Sequence, residues 1–217
     1  MIIKIKNLMK SYSDNVIYSN VNLTFVGGNI YGLIGKNGSG KSVFLKNICG
    51  FIRPDSGEII VEGIDIFKNN CFIPNTRVMI ERPTFIDNLS GLENLKLLAS
   101  IQNKIDEKEI IEWLKKVGLD KEKDKKYCKY SLGMKQKLAI VQVLMENPGI
   151  LILDEPFNGL DKISYNNMID IFKKEKEKGK LIIIATHIEN DINNLCDKVY
   201  EIEEGNIAEI QSRKITS

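Results

Sequence analysis

The chain has 217 residues, enough for one α/β domain with a single core and room for a subdomain insertion, and too few for two full domains. With 31 basic and 29 acidic residues the net charge is only +2, and just four of the basic residues are arginines, so neither a strong field nor the flat guanidinium fork that reads bases points to nucleic acid. Cys49, Cys71, Cys128 and Cys196 form no CxxC pair, as expected of reduced thiols in a cytosolic protein. No signal peptide opens the chain and no apolar run approaches a membrane span, so any membrane role is expected to pass through a partner.

Ile2, Ile3, Ile5 and Leu8 predict a first strand, and residues 21–25 alternate as a second. Tyr12 follows the first strand. A surface or core tyrosine is its plain reading, and a stacking platform for adenine becomes the alternative only with a phosphate site nearby. Gly27 and Gly28 turn into an apolar run, 30–34, which leads to Gly35, Lys36, Asn37, Gly38, Ser39, Gly40, Lys41 and Ser42, and then to helical spacing over 43–48. Strand, glycine loop and helix are the context a phosphate-binding loop requires. The glycines let consecutive N–H groups converge on a polyphosphate, and the helix start aims its unpaired amides and partial positive charge at the same place. Lys41 adds a point charge for the β- and γ-phosphates, and Ser42 offers a hydroxyl to Mg²⁺.

Gly50 is placed to end the loop helix, residues 53–57 have turn chemistry, and 58–61 follow as a strand closed by Gly63. Residues 78–80 predict a buried strand stopped at Glu81, Arg82 and Pro83. From Leu92 the pattern turns helical: Leu92, Leu95, Leu98 and Ala99 share a stripe, and Ile110, Ile111, Leu114 and Val117 share another behind a capping box of Asp106 and Glu109. Residues 120–129, rich in lysine and acid, read as a solvated loop or helix end. Ser131, Leu132, Gly133, Met134, Lys135 and Gln136 precede a helix over 137–145; they form either a simple cap or an anion site at a helix start. Residues 83–147 thus read as a mainly helical insertion, with 1–82 and 148–217 as the core.

The run 150–153 predicts a central parallel strand buried on both faces and ends in Asp154 and Glu155. At the carboxyl edge of an open α/β sheet, Asp154 can hold Mg²⁺ or its water and Glu155 can accept a proton from an attacking water. Gly159, Leu160 and Asp161 lead to a helix over 165–178, and 181–185 form another buried strand that delivers Thr186 and His187; a lone histidine is more often incidental than catalytic, but one at this strand edge could hydrogen-bond a terminal phosphate. Residues 198–203 and 207–210 predict a closing hairpin, and the remaining tail is short and polar.

Tyr12, the loop from Gly35 to Ser42, the Ser131 to Gln136 segment, the acids after residue 153, Gly159 to Asp161 and His187 fall in an order that resembles the ATP-binding cassette family, the nucleotide-binding subunits of ABC transporters. The resemblance spans essentially the whole chain. It implies a P-loop NTPase (RecA-like) α/β core with an N-terminal antiparallel β subdomain and a helical insertion carrying the signature. It further implies ATP and Mg²⁺ bound by Asn37, Ser39 and the rest of the loop, with Tyr12 on adenine, Asp154 as the Walker B aspartate, Glu155 as the catalytic carboxylate and His187 as the switch histidine. Asp161 would belong to the loop that crosses to a second subunit, and Ser131 and Gly133 would face that subunit's γ-phosphate in a head-to-tail homodimer or heterodimer docked on a separate permease.

Two places depart from the common family pattern: Tyr130, Ser131, Leu132, Gly133 and Met134 stand where Leu-Ser-Gly-Gly-Gln is usual, keeping the serine and one glycine, and Glu81 replaces a glutamine, bringing a carboxylate toward Mg²⁺ and the phosphates. Together they are similar to transporters that confer resistance or immunity to antibiotics of the lantibiotic and bacitracin type. That likeness implies export of an antimicrobial peptide or similar amphiphile from the inner face of the membrane. The competing expectations are a soluble ABC-type ATPase of ribosome or DNA processes, and a regulatory module that hydrolyses ATP weakly.

Overall fold

The computed structural model describes residues 1–13, 15–81 and 84–210. The chain begins with β1 (Ile2–Tyr12), β2 (Asn15–Val26) and β3 (Asn29–Ile34), followed by α1 (Lys41–Ile48). Next come β4 (Ser56–Val61), β5 (Ile64–Asp65) and β6 (Thr76–Met79), then three helices: α2 (Gly91–Ala99), α3 (Glu107–Lys116) and α4 (Leu132–Leu144). The remainder alternates as β7 (Ile150–Asp154), α5 (Lys162–Glu177), β8 (Leu181–Thr186) and α6 (Glu189–Leu195), closing with β9 (Lys198–Glu203) and β10 (Asn206–Ile210).

Strands β2, β1, β4 and β5, in that order, make an antiparallel sheet. The second sheet runs β10-β9-β3-β8-β7-β6 and is parallel except for the β9–β10 hairpin. Strands β7 and β8 have no polar face, because layers cover both sides of the sheet. Leu151, Leu153, Ile182 and Ile184 enter an apolar layer with α2 to α5, whereas Ile150, Ile152, Ile183 and Ala185 enter a second layer with α1 and the antiparallel sheet. Each such aliphatic side chain contributes roughly 1.5–3 kcal/mol of burial.

Local signals account for the helices. The expected capping box of Asp106 and Glu109 opens α3, and an equivalent box of Ser90 and Glu93 opens α2. Residues 120–129 are mostly exposed, as expected, but fold into two 3₁₀ turns that bury Tyr127, and the carbonyls of Lys123 and Lys125 accept from the Leu92 and Gly91 amides at the start of α2. Gly179 follows α5 with φ 84, the left-handed stop its position predicts.

Other expectations are revised. Tyr12 is the last residue of β1 rather than beyond it, paired with Asn15. The strand expected at 78–80 is Thr76–Met79, and it forms the sheet's edge, so only Met79 is buried; the side chain of Arg77 leaves the sheet to pair with Glu146. Helix α4 begins at Leu132 instead of 137 because Ser131 caps it, accepting from the Met134 amide. Helix α6 was not foreseen: in seven residues only Ile192 and Leu195 point inward among apolar side chains, too few for a periodic signal. The stop at Arg82 and Pro83 and the tail after Ile210 lie outside the described residues. No helix among those described is long and apolar enough to cross a membrane.

If the two-faced strands carry the stability, Ile183→Ala, at a side chain 1% exposed, costs about 2–5 kcal/mol in denaturant unfolding, whereas Ile163→Ala, 84% exposed, changes stability by less than about 0.5 kcal/mol. Equal losses for the two would refute the assignment of the core.

Candidate active site

Four adjacent strands, β3, β8, β7 and β6, end at the same edge of the parallel sheet, and each is followed by residues of the site. Strand β3 runs into the glycine loop, β7 into Asp154 and Glu155, β8 into Thr186 and His187, and β6 toward Glu81. Register does the rest: Ile34 pairs with Thr186 and Asp154 with Ala185, so side chains far apart in sequence emerge side by side.

At the loop, Gly40 takes φ 102 and a Cβ there would stand 2.4 Å from Ile17 Cγ2, so the β1–β2 hairpin closes directly over the loop and leaves room only for glycine. Having no side chain, Gly40 also leaves the first amides of α1 without a side-chain cap. Lys41 is 6% exposed and its ammonium donates to the carbonyls of Gly35 at 2.6 Å and Lys36 at 3.1 Å, bridging its own loop. Ser39 Oγ is buried with no hydrogen-bond partner. An uncapped helix start, an orphaned hydroxyl and a buried ammonium in one cradle fit a polyphosphate.

Ser42 Oγ donates to Asp154 Oδ2 at 2.5 Å, joining the loop helix to the end of β7. Burial raises the Asp154 carboxyl above its ordinary range, opposed by the Ser42 hydrogen bond and reinforced by Glu155. Burial lowers the Lys41 ammonium, opposed by Glu155 and Asp154. Both groups are thus pushed toward neutrality, and a phosphate chain above Lys41 and a divalent cation at Asp154 would favour their charged forms. Among the described residues no three His, Cys, Asp or Glu side chains converge as a metal cage. One hydroxyl and one carboxylate suit Mg²⁺, which completes its shell with water and substrate phosphates.

Glu155 sits at φ 50, a left-handed conformation that costs a non-glycine residue about 1–3 kcal/mol and persists only where its surroundings hold it. Its amide donates to Ala185 O at 2.8 Å. The side-chain amide of Gln136 donates to the carbonyls of Glu155 at 3.0 Å and Pro156 at 2.8 Å. The Glu155 carboxylate meets His187 Nδ1 at 2.6 Å. A carboxylate only accepts, so Nδ1 carries the proton and Nε2 is left for other partners. On the other side, Thr186 Oγ1 lies 3.3 Å from Glu155 Oε2 and 3.1 Å from Asp191 Oδ2, one hydroxyl proton between two carboxylates. Asp191 is buried in the first turn of α6, and burial pushes its carboxyl up.

The other expected site residues are placed separately. Tyr12 is 47% exposed at the hairpin end, with Lys10 Nζ 5.0 Å from its ring centroid; the same hairpin touches Gly40 through Ile17. Glu81 adopts φ 64 and its carboxylate pairs with Lys46 Nζ on α1 at 2.5 Å. Asp161 caps α5, accepting from the Ser164 amide at 2.9 Å and the Ser164 hydroxyl at 2.8 Å. Gly133 lies in the first turn of α4, where a Cβ would stand 2.8 Å from Gly159 O. Among the described residues no hydrogen bond or ion pair joins Ser131 or Gly133 to the loop at 35–42. Asn37 is exposed on the loop, beside Gly38 at φ 82.

Sequence reasoning named Thr186 and Gln136 without a role of their own and missed Asp191 altogether. Thr186 had a usable signal, since it ends the same strand that delivers His187. Asp191 belongs to the unforeseen α6, and Gln136 is one helical turn beyond the cap, where spacing gives no hint of its backbone partners.

Comparison with known proteins joins these features. The family model described as "ABC transporter" matches residues 18–158. The lantibiotic transport ATP-binding protein SrtF of Streptococcus pyogenes is 38% identical over 205 residues, covering 94% of this chain and 88% of that protein. The bacitracin transport ATP-binding protein BcrA of Enterococcus faecalis is 36% identical over 211 residues, covering 96% of this chain and 68% of BcrA. A dimeric ATP-binding cassette solved in a post-hydrolysis state with ADP and Pi matches with a TM-score of 0.85 at 25% identity, over 97% of this chain and 99% of the other. With its phosphate loop, paired acids and histidine at one sheet edge and a family match over well more than half its length, the chain belongs to the ABC transporter family, as an ATP-binding and ATP-hydrolysing subunit.

Proposed function

We propose that this subunit hydrolyses ATP in a sandwich with a second cassette and powers a separate membrane permease that exports an antimicrobial peptide or a similar amphiphile. The observation that carries the catalytic part is the convergence of Lys41, Ser42, Asp154, Glu155 and His187 on one edge, tied by the Ser42–Asp154 and Glu155–His187 hydrogen bonds. The cargo is inferred from likeness to proteins named for lantibiotic and bacitracin transport. The similarity spans nearly the whole chain, which favours a transporter subunit over an ATPase of ribosome or DNA processes.

In this scheme the amides at the start of α1, with Asn37 and Ser39 of the loop, hold the phosphates, and the Lys41 ammonium turns from its loop carbonyls to the β- and γ-oxygens. Ser42 and Asp154 would hold Mg²⁺, which would neutralise charge on those oxygens. Glu155 accepts a proton from the water that attacks the γ-phosphorus, while the bond to the leaving ADP oxygen breaks. His187, oriented by Glu155 through Nδ1, presents Nε2 to the γ-phosphate. Tyr12 stacks on adenine. Glu81, paired with Lys46, would add a carboxylate at the rim toward the metal.

The second cassette supplies what the single chain lacks. Ser131 and Gly133, at the start of α4, offer a hydroxyl and an N–H to the γ-phosphate of the other subunit, and the loop before Asp161 crosses the same interface. Residues 83–147 act as the helical unit that passes closure to the permease on the inner face of the membrane. Co-purification of a permease with the tagged subunit is the expected result, and ribosomes in its place would overturn the transport assignment.

Glu155→Gln is expected to retain ATP binding and slow steady-state phosphate release at least ~100-fold, the usual worth of a positioned base; undiminished turnover would remove Glu155 from the role. Tyr12→Ala is expected to weaken ATP binding at least about fivefold while leaving inorganic tripolyphosphate unaffected, since a base-stacking contact is worth roughly 1–3 kcal/mol. Equal weakening of both ligands would show that Tyr12 supports the loop instead.

A further inference from the structure

Gln136 stands out among the polar groups that the mechanism above leaves unused. It lies in α4, yet its side chain reaches out of the helix to two consecutive main-chain carbonyls, Glu155 O at 3.0 Å and Pro156 O at 2.8 Å. Both partners are acceptors, so only the NH₂ side of the amide satisfies them, and both of its protons are used. Those carbonyls are that of Glu155, whose backbone is held left-handed at φ 50, and that of the residue after it. On the other side of that peptide unit, the Glu155 amide donates to Ala185 O. A strained conformation needs restraint from several directions, and Gln136 supplies the one that comes from outside the sheet.

The contact is reinforced nearby. Gly133 packs so closely on Gly159 that a Cβ would stand 2.8 Å from its carbonyl oxygen, and a Cβ on Gly159 would stand 2.7 Å from Leu132 Cδ2. The first turns of α4 are therefore seated on both ends of the loop from Glu155 to Gly159.

We propose that Gln136 is a positioning residue for ATP hydrolysis: its amide clamps the Glu155–Pro156 backbone to α4 and thereby sets the direction of the Glu155 carboxylate. This rests on the reading of Glu155 as the base. It also gives α4 two duties, since the helix that Ser131 begins, and that would meet the other subunit's nucleotide, is the one that holds the base of its own site. Docking of that helix is then transmitted to Glu155 through two hydrogen bonds.

The test compares Gln136→Met, which keeps length and loses both N–H groups, with Gln136→Glu, which keeps shape and replaces donors by acceptors. Each is expected to lower kcat for ATP about 10- to 100-fold, the cost of a misplaced reacting group, with KM and the affinity for a fluorescent ATP analogue within about twofold of the parent. Thermal melting of both variants checks that they fold, and one folded variant suffices for the test. In a Glu155→Gln background, either substitution is expected to lower the residual rate by less than about twofold, because the group it positions is already gone. Unchanged kcat in a folded variant, a loss confined to KM, or the same fold-loss in both backgrounds would overturn the proposal. Full activity of Glu155→Gln alone would instead overturn the reading of the base, so the two failures are distinct.

Discussion

A parallel strand covered on both faces has nowhere to place a polar side chain except its ends. That constraint organises this molecule. Strands β7 and β8 send alternate side chains into two separate apolar layers, and the residues that break the pattern, Asp154, Glu155, Thr186 and His187, lie at or just past their carboxyl ends. Because β3, β8 and β7 are neighbours in parallel register, those ends fall next to the glycine loop without any further device. The chemistry of the site is thus a consequence of how the core is covered.

The same burial sets the electrostatics. Lys41 and Asp154 are each pushed toward their neutral forms, and Lys41 turns its ammonium onto its own loop's carbonyls. Such a site is poised to gain from opposite charges supplied by ligands, since each would restore the ionised form of a group that the protein alone disfavours. Asp55 makes a useful contrast: it lies at the surface, where hydrogen bonds from Lys10 and Ser11 hold its carboxyl down to about 2. Partners already in place stabilise the charge at Asp55, whereas at Asp154 burial outweighs the Ser42 hydroxyl and the Lys41 ammonium, and Glu155 adds a competing carboxylate.

Around this edge, strain and restraint occur together. Glu155 is held left-handed between an amide contact to β8 and the Gln136 clamp from α4, and its carboxylate is flanked by His187 and Thr186. Contacts from β8, from the residue that follows it and from α4 therefore hold the position of one side chain. Helix α4 is among them because Gly133 and Gly159 allow its first turn to approach the loop after β7 without a Cβ between. Leu132, which departs from the usual glycine of the family signature, is accommodated as the first helical residue with half of its surface exposed, lying over Gly159.

Much of this was legible from the amino-acid order because the informative signals are local or strictly periodic. The phosphate loop needs glycines at fixed offsets, a doubly buried strand needs an unbroken apolar run, and a capping box needs an acid three residues after its cap. The class of fold, the strands beside the site and the residues of its loop followed from these. Tertiary structure alone decided the rest. Whether a strand such as β6 lies at an edge depends on which strands pair, and the start of α4 depends on whether Ser131 caps it. Thr186, Asp191 and Gln136 become partners of one another's neighbours only when β8, α6 and α4 are packed around β7. Contacts between side chains and distant main-chain carbonyls leave no periodic trace in a sequence, because folding, and not spacing, brings them within hydrogen-bond reach.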